Sequence, residues 1–295
     1  MSQKDIFLQL LESSQITQRT PEWYAARKTR ITASEAASCL IKDALTCEDY
    51  FNEFGEASKF PLNGRCANSY MSKNMYIKRK TGRQESFSTQ ATMHGNLFED
   101  IAVNIYEITN KTKVYPFGLI QHPTISFIGA SPDGITPDGI MLEIKCPLTR
   151  KITGIPPFHY WIQMQIQMET CNLDNCDFME CDFKVYNSLQ EIETTTDNTF
   201  YYGAIVIPKY GEGKIYYIDG FNMTELDYAR KILKIQDEII INKNIFGFFD
   251  YKVIWFKLKT LSIVRVKRSK HWFESVLPQL KEVYDLLQGK DECLF

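Results

Sequence analysis

The chain has 295 residues, 44% of them hydrophobic, 13% aromatic and 24% charged, which excludes a disordered tail, a collagen-like repeat and a disulfide-stapled miniprotein. With 34 basic and 36 acidic residues the net charge is −2, so any affinity for nucleic acid has to come from local segregation of charge. No apolar run approaches the roughly 18 residues of a spanning helix, and Lys4, Asp5 and Glu12 surround too short an apolar stretch for a signal peptide. The expectation is therefore a soluble intracellular protein, cytoplasmic or nuclear, with no membrane partner.

In chain order, the pattern predicts a helix over residues 4–13 and a second over 21–28, where Pro21 after Thr20 is a favourable start. Ser34 is expected to cap a helix over 35–40. Residues 57–84 read as loop mixed with helix. A firm helix covers 94–109, with Phe98, Ile101, Ala102, Ile105 and Ile108 on the apolar stripe and Asp100, Asn104 and Glu107 on the solvent stripe. Strands are expected at 113–119, 125–131 and 140–146, a helix at 159–171, strands at 176–185, 200–208 and 214–219, and helices at 225–242 and 272–287.

Helices thus precede, interrupt and follow a central mixed β-sheet, an α/β (α+β) architecture rather than a doubly wound one. No linker divides the chain, so one domain is expected over 1–295. No Gly-rich phosphate loop, GxSxG or HExxH occurs, which removes support for nucleotide-binding, hydrolase-elbow and zincin chemistry.

Charge is segregated along the chain. Residues 57–84 contain no acid and seven cations, residues 251–273 repeat that pattern, and residues 169–197 hold eight acids against Lys184 alone. Such runs read as solvated faces or as surfaces for a polyanion. The eight cysteines, without a secretory signal, read as reduced thiols. The spacing of Cys171, Cys176 and Cys181 is not that of a common zinc site, and on a strand Cys176 and Cys181 face opposite sides.

The informative segment is residues 129–147. Leu142 and Ile144 alternate with Glu143 and Lys145, so a strand sends the apolar pair to the core and puts carboxylate and ammonium on the other face. Residues 136–139, Thr-Pro-Asp-Gly, suit a three-residue hairpin with Gly139 left-handed. Counting back from Thr136 opposite Ile140 places Asp133 opposite Glu143 and Ser131 opposite Lys145. Two facing carboxylates repel each other unless a cation lies between them, and an all-oxygen donor set suits Mg²⁺, with Mn²⁺ as the alternative. Lys145 beside the ion is placed to act on an attacking water. Spacing alone leaves a second reading open, in which the Pro-Asp-Gly sequences are turns and Glu143–Lys145 is a surface ion pair. Glu99 weighs toward the first, since it lies on a helical stripe with Val103 and Tyr106 rather than on the solvent face.

The ordered set Arg19-Thr-Pro-Glu-Trp-Tyr, Arg27, Ile31-Thr-Ala-Ser-Glu35, His94-Gly95, Glu99, Ser131-Pro-Asp-Gly134, Leu142-Glu-Ile-Lys-Cys-Pro147 and Gln163-Met-Gln165 resembles the lambda-exonuclease (YqaJ-like) recombinases of the PD-(D/E)xK nuclease superfamily. The likeness runs in order over about residues 19–220. It implies Mg²⁺-dependent 5′-to-3′ digestion of linear double-stranded DNA, with release of 5′ mononucleotides and a 3′ single strand left for an annealing protein in recombination or repair. It also implies a homo-oligomer.

By the resemblance, Asp133 and Glu143 hold the metal with the Ile144 carbonyl, Lys145 acts on the nucleophilic water, Glu99 completes the acidic cluster and Gln163 orders the site. Arg27, Ser34 and Ser131 hold a terminal 5′-phosphate, for which a guanidinium and short hydroxyls are good donors. A structure-selective or nonspecific endonuclease with the same core, a non-catalytic DNA-binding scaffold, and an iron–sulfur nuclease drawing on Cys39, Cys47, Cys66, Cys171, Cys176 and Cys181 are the competing readings. His94 and His159 read as structural, and Trp23 as a core anchor. The chain departs from the short bacteriophage type in residues 187–199 and in an extension over 251–295, where the basic run would grip duplex DNA or reshape subunit contacts. Its Lys-, Ile-, Asn- and Tyr-rich composition resembles copies carried by large DNA viruses.

Overall fold

Two sheets of unequal size organise the computed structural model, which describes residues 1–85, 88–188, 191, 201–208, 215–219, 237 and 251–289. The small sheet has the order β1 (Ile31–Thr32), β3 (Ile128–Ala130), β2 (Ile120–Gln121), with β1 parallel and β2 antiparallel to β3. The large sheet runs β4 (Gly134–Ile135), β5 (Ile140–Lys145), β6 (Asn175–Tyr186), β9 (Tyr251–Lys267), β7 (Tyr202–Pro208), β8 (Ile215–Asp219). Only β5 and β6 are parallel within it, and the helix α7 (Phe158–Cys171) makes their crossover.

The N-terminal helices α1 (Gln3–Glu12) and α2 (Pro21–Lys28) lie where the sequence places them, and Thr20 Oγ1 accepts from Trp23 N to cap α2. The next start is different. Helix α3 (Ala33–Ala36) is one turn capped by Thr32, whose N–H and hydroxyl both donate to Glu35, so Ser34 lies inside the turn and is not its cap. Threonine one residue earlier supplies the same chemistry as the expected serine. Helices α4 (Ala44–Phe54) and α5 (Lys73–Lys80) follow, α5 within the expected mixture of loop and helix.

Helix α6 (Gln90–Asn110) buries Phe98, Ile101, Ala102 and Ile105 as the periodicity requires, while Ile108 is exposed near its end. The strand expected over 113–119 does not form. Only Tyr115 and Leu119 make bridges, Pro116 has no N–H to give a ladder, and at Gly118 the backbone passes so near Ile16 that a Cβ would lie 2.3 Å from its carbonyl oxygen. The expected strand over 125–131 shortens to β3 because residues 125–127 form the turn that closes on Ile128.

Two apolar clusters flank the large sheet. On one face Met141, Cys176 and Phe178 pack with Trp161, Trp272 and Val276; on the other Leu142, Ile144, Met179, Cys181 and Phe183 pack with Phe98, Ile101 and Ile105. Cys176 and Cys181 are therefore on opposite sides of β6. Helix α8 (Lys270–Leu287) joins the first cluster and is tied to α4 by a 3.0 Å bond from Trp272 Nε1 to the Thr46 carbonyl.

The largest departure from the sequence reading is β9. The segment read as a basic extension is a 17-residue strand between β6 and β7, and its register sets Arg265 opposite Asp177 of the acidic run. Arg265 makes a two-pronged pair with buried Asp177, which also accepts from Tyr106 Oη at 2.7 Å. Arg268 pairs with Asp174 at 2.7 Å and approaches Glu169 at 3.7 Å. Charges segregated in sequence thus meet at two points, Arg265 with Asp177 across β9 and β6, and Arg268 with Asp174 just beyond the ends of those strands. The expected helix over 225–242 and most of the loop over 187–199 lie outside the described residues. No helix among them is long and apolar enough to cross a membrane.

Candidate active site

The hairpin closes as its turn residues require. Thr136 and Ile140 are joined by a 2.8 Å bond, Gly139 takes φ +76° in the left-handed region, and Gly134 and Ile135 pair with Leu142 and Met141. The next step back sets Asp133 across from Glu143, and Asp133 Oδ2 accepts from Ile144 N at 2.6 Å. The count ends there. Ser131 does not pair with Lys145, because residues 128–130 turn away into the small sheet, and its hydroxyl instead accepts from Trp23 Nε1 at 3.0 Å.

Glu143 is fully buried. Its Oε1 accepts from Lys145 Nζ and, at 2.8 Å, from Gln163 Nε2; its Oε2 accepts from Gln167 Nε2 at 2.7 Å. The Glu143–Lys145 pair is therefore not a surface ion pair. Gln163 and Gln167 are one helical turn apart, so one face of α7 presents two amides to one carboxylate. Gln165 points elsewhere, donating to the Lys267 carbonyl and accepting from Ser269 N. Lys145 Nζ also lies 4.9 Å from the centre of the Tyr160 ring.

Burial, then the neighbouring Glu143 charge, raise the Asp133 carboxyl well above the usual carboxylate range, and Glu99 adds to the effect. Burial would lower the Lys145 ammonium, yet Glu143 and Asp133 together outweigh it and hold it above its ordinary value. This is a site with more negative charge than its one lysine balances. Its donors are hard oxygens, and the mutual repulsion of Asp133 and Glu143 is what a divalent cation relieves, so the residues fit Mg²⁺ or Mn²⁺. Among the described residues no three His, Cys, Asp or Glu side chains converge closely enough to hold an ion by themselves. Two carboxylates and a backbone carbonyl are the donors available.

Glu99 lines an open cleft of about 740 Å³ that also reaches Asp133. Its partner is Arg19, 2.8 Å away, whose backbone takes the left-handed φ of +66°. A helical glutamate on that stripe does meet a cation, supplied here by the chain itself.

The third group lies on α2, α3 and α5. Arg27 sits 4.4 Å over the Trp23 ring and donates to Ser34 Oγ at 3.2 Å, while the same Trp23 bonds Ser131. The structure thus brings Arg27, Ser34 and Ser131 into one neighbourhood. Trp23 is half-buried and holds this group together, so it is not the core anchor expected from its size.

His94 and His159 are buried among rings, His94 on Phe98 and His159 on Tyr70 and Tyr160. Burial, then the nearby charges of Lys145, Arg150 and Lys42, lower His159 to about 4, so its imidazole stays neutral. Sequence reasoning did not assign Gln167, Arg19, Tyr160, Glu35 or Lys80 to a site. Gln167 carried a signal in its helical-turn spacing from Gln163, and Arg19 and Glu35 stood within the motifs of the resemblance without an assigned role.

An uncharacterised protein, R354, of Acanthamoeba polyphaga mimivirus is 27% identical to this chain over 92% of its residues. The chain spans about half the length of that relative, 52%. Among solved structures, an alkaline exonuclease of Laribacter hongkongensis is 21% identical, with 92% of this chain and 94% of that one covered and a TM-score of 0.48. A phage-related exonuclease of Haemophilus somnus is 14% identical, with 72% and 79% covered and a TM-score of 0.41. Residues 22–174, which contain α2 apart from Pro21, the hairpin and all of α7, match the model of the YqaJ-like viral recombinase domain, and the chain belongs to that family.

Proposed function

We propose that this chain is a divalent-metal-dependent deoxyribonuclease that digests linear duplex DNA from a 5′-phosphorylated end, releasing 5′ mononucleotides and leaving a 3′ single strand. The observation that carries the reading is Glu143: a fully buried carboxylate, beside Asp133, held by Lys145 and two glutamine amides. Burying a charge is costly even when partners offset part of the cost, so a carboxylate kept in such a place points to a task.

In this reading Asp133, Glu143 and the Ile144 carbonyl would hold Mg²⁺ or Mn²⁺, which when bound supplies Lewis-acid stabilisation of charge at the scissile phosphate. Lys145 orients the attacking water and balances the negative charge that develops on the phosphoryl oxygens. Gln163 and Gln167 fix the Glu143 carboxylate so that its direction does not change during reaction. Glu99 reaches the same cleft as Asp133 and adds to the acidic cluster once Arg19 is displaced. Arg27, Ser34 and Ser131 grip the terminal phosphate and so set where the next bond is cut. Duplex DNA is the partner; a single-strand annealing protein and further copies of the chain complete the recombination role.

The test is digestion of linear duplex DNA labelled at either end, with and without a 5′-phosphate and with and without EDTA, comparing wild type with Lys145→Ala. Stepwise release of 5′ mononucleotides that needs metal and Lys145 is the expected result. Cutting of closed circular DNA with no preference for ends would replace the exonuclease by an endonuclease. No cutting at all would leave a DNA-binding scaffold.

A further inference from the structure

Arg27, Glu35 and Lys80 meet where α2, α3 and α5 converge, on the wall of a cavity of about 280 Å³ to which Tyr24, Tyr76 and Arg79 also contribute. Glu35 is held unevenly. Its Oε2 accepts from Lys80 Nζ at 2.6 Å, from Thr32 Oγ1 at 2.7 Å and from Thr32 N at 3.2 Å. Its Oε1 lies 3.7 Å from Arg27 Nη2, within ion-pair range but too far for a hydrogen bond. That same Nη2 donates to Ser34 at 3.2 Å instead.

A guanidinium beside a carboxylate ordinarily takes it in a two-pronged pair. Here three donors converge on one oxygen of Glu35 and turn the carboxylate away, so that Arg27 keeps its hydrogen-bonding edge for another anion. Lys80 gives up solvation to do this. Its side chain is 7% exposed, where a lysine near a helix end would ordinarily extend into water. Burial lowers its ammonium below the ordinary value, and the Glu35 charge acts against that loss. With Arg79 the cavity carries more positive than negative charge, which suits a phosphate monoester with its extra negative charge better than an internal diester.

Resting on the reading of Arg27 as a terminal-phosphate group, we propose that Lys80 is a specificity-determining residue: by engaging Glu35 it keeps Arg27 available, and so gives the enzyme its preference for 5′-phosphorylated over 5′-hydroxyl ends. Without Lys80, the neutral donors of Thr32 remain but the Glu35 charge loses its counter-ion, so Glu35 draws on Arg27 and competes with the incoming phosphate.

The experiment compares kcat/KM on one linear duplex bearing either a 5′-phosphate or a 5′-hydroxyl. For Lys80→Met the phosphate preference is expected to fall by about tenfold, the scale of one charge-assisted hydrogen bond. Adding Glu35→Gln to Lys80→Met is expected to restore it, because a neutral amide no longer holds the guanidinium. Lys80→Arg retains the charge and the preference, and Lys80→Gln gives the same fall as Met should the apolar variant not fold. Unchanged preference in Lys80→Met and Lys80→Gln would overturn the inference, as would a fall that Glu35→Gln does not reverse. A wild-type enzyme indifferent to the 5′-phosphate would instead overturn the reading of Arg27 itself, and this inference with it.

Discussion

Two lysine–glutamate pairs define this molecule, and they are buried in opposite senses. In Lys145–Glu143 the glutamate is fully buried and the lysine side chain is 23% exposed; in Lys80–Glu35 the lysine is 7% exposed and the glutamate 20%. In the first pair the protein desolvates a carboxylate and surrounds it with donors, which concentrates negative charge at a fixed point beside Asp133. In the second it desolvates an ammonium and leaves the neighbouring guanidinium facing a cavity. The first arrangement suits binding a cation and doing chemistry, the second suits selecting an anion. Which partner is buried, the carboxylate or the ammonium, is what separates them.

That contrast is open to direct attack. Lys145→Ala should have the largest effect, a loss of about a thousandfold or more in the initial rate of nucleotide release, because it removes the counter-charge of Glu143 and, in the proposed function, the group that orients the water. Residual activity within tenfold of wild type would place the chemistry elsewhere.

The rim of the buried site should make the protein sensitive to acid. His159 binds a proton near 6.5 when unfolded and only near about 4 when folded, so between these values the unfolded chain holds more protons. Stability is then full above the unfolded value and is lost as pH falls through 6.5 toward 4, by up to about 3 kcal/mol for this group. Denaturant unfolding across that range, compared with His159→Phe, checks it; an equally steep decline in the variant would assign the acid sensitivity to other groups.

Gln167→Leu leaves Oε2 of a buried carboxylate without its amide and should cost about 1–3 kcal/mol, read as a lower melting temperature and a higher metal concentration for half-maximal rate. Arg27→Ala, at the open pocket, should leave the melting temperature near wild type and reduce the preference for 5′-phosphorylated ends by about tenfold. If Arg27→Ala destabilised the fold as much as Gln167→Leu, the distinction between a buried chemical site and an open recognition site would not hold.

Much of the buried site was legible because local rules write it. The alternation over 140–145, the turn residues over 136–139 and the three-residue loop together set Asp133 across from Glu143, and that register is what the hairpin adopts. Ser131 escaped the same counting because the chain before Gly134 belongs to the second sheet, which no local pattern announces. Gln163 was assigned by its likeness to a family; Gln167 needed only the helical period. The second pair was not legible, since Glu35 and Lys80 are 45 residues apart and nothing local links them.

The sequence by itself determined the elements governed by short-range rules: α2 with its Thr20 cap, the stripe of α6, the hairpin and its carboxylates, and the crossover helix α7. Tertiary structure alone decided that residues 251–267 form a strand between β6 and β7, with Arg265 and Arg268 answering acids more than eighty residues earlier. It also decided that the distant Lys80 joins Thr32 in holding the Glu35 carboxylate. The reason is physical: turn chemistry and side-chain period act over a few residues, whereas the partner of a charge is chosen by which distant strand or helix folding brings within about 4 Å of it.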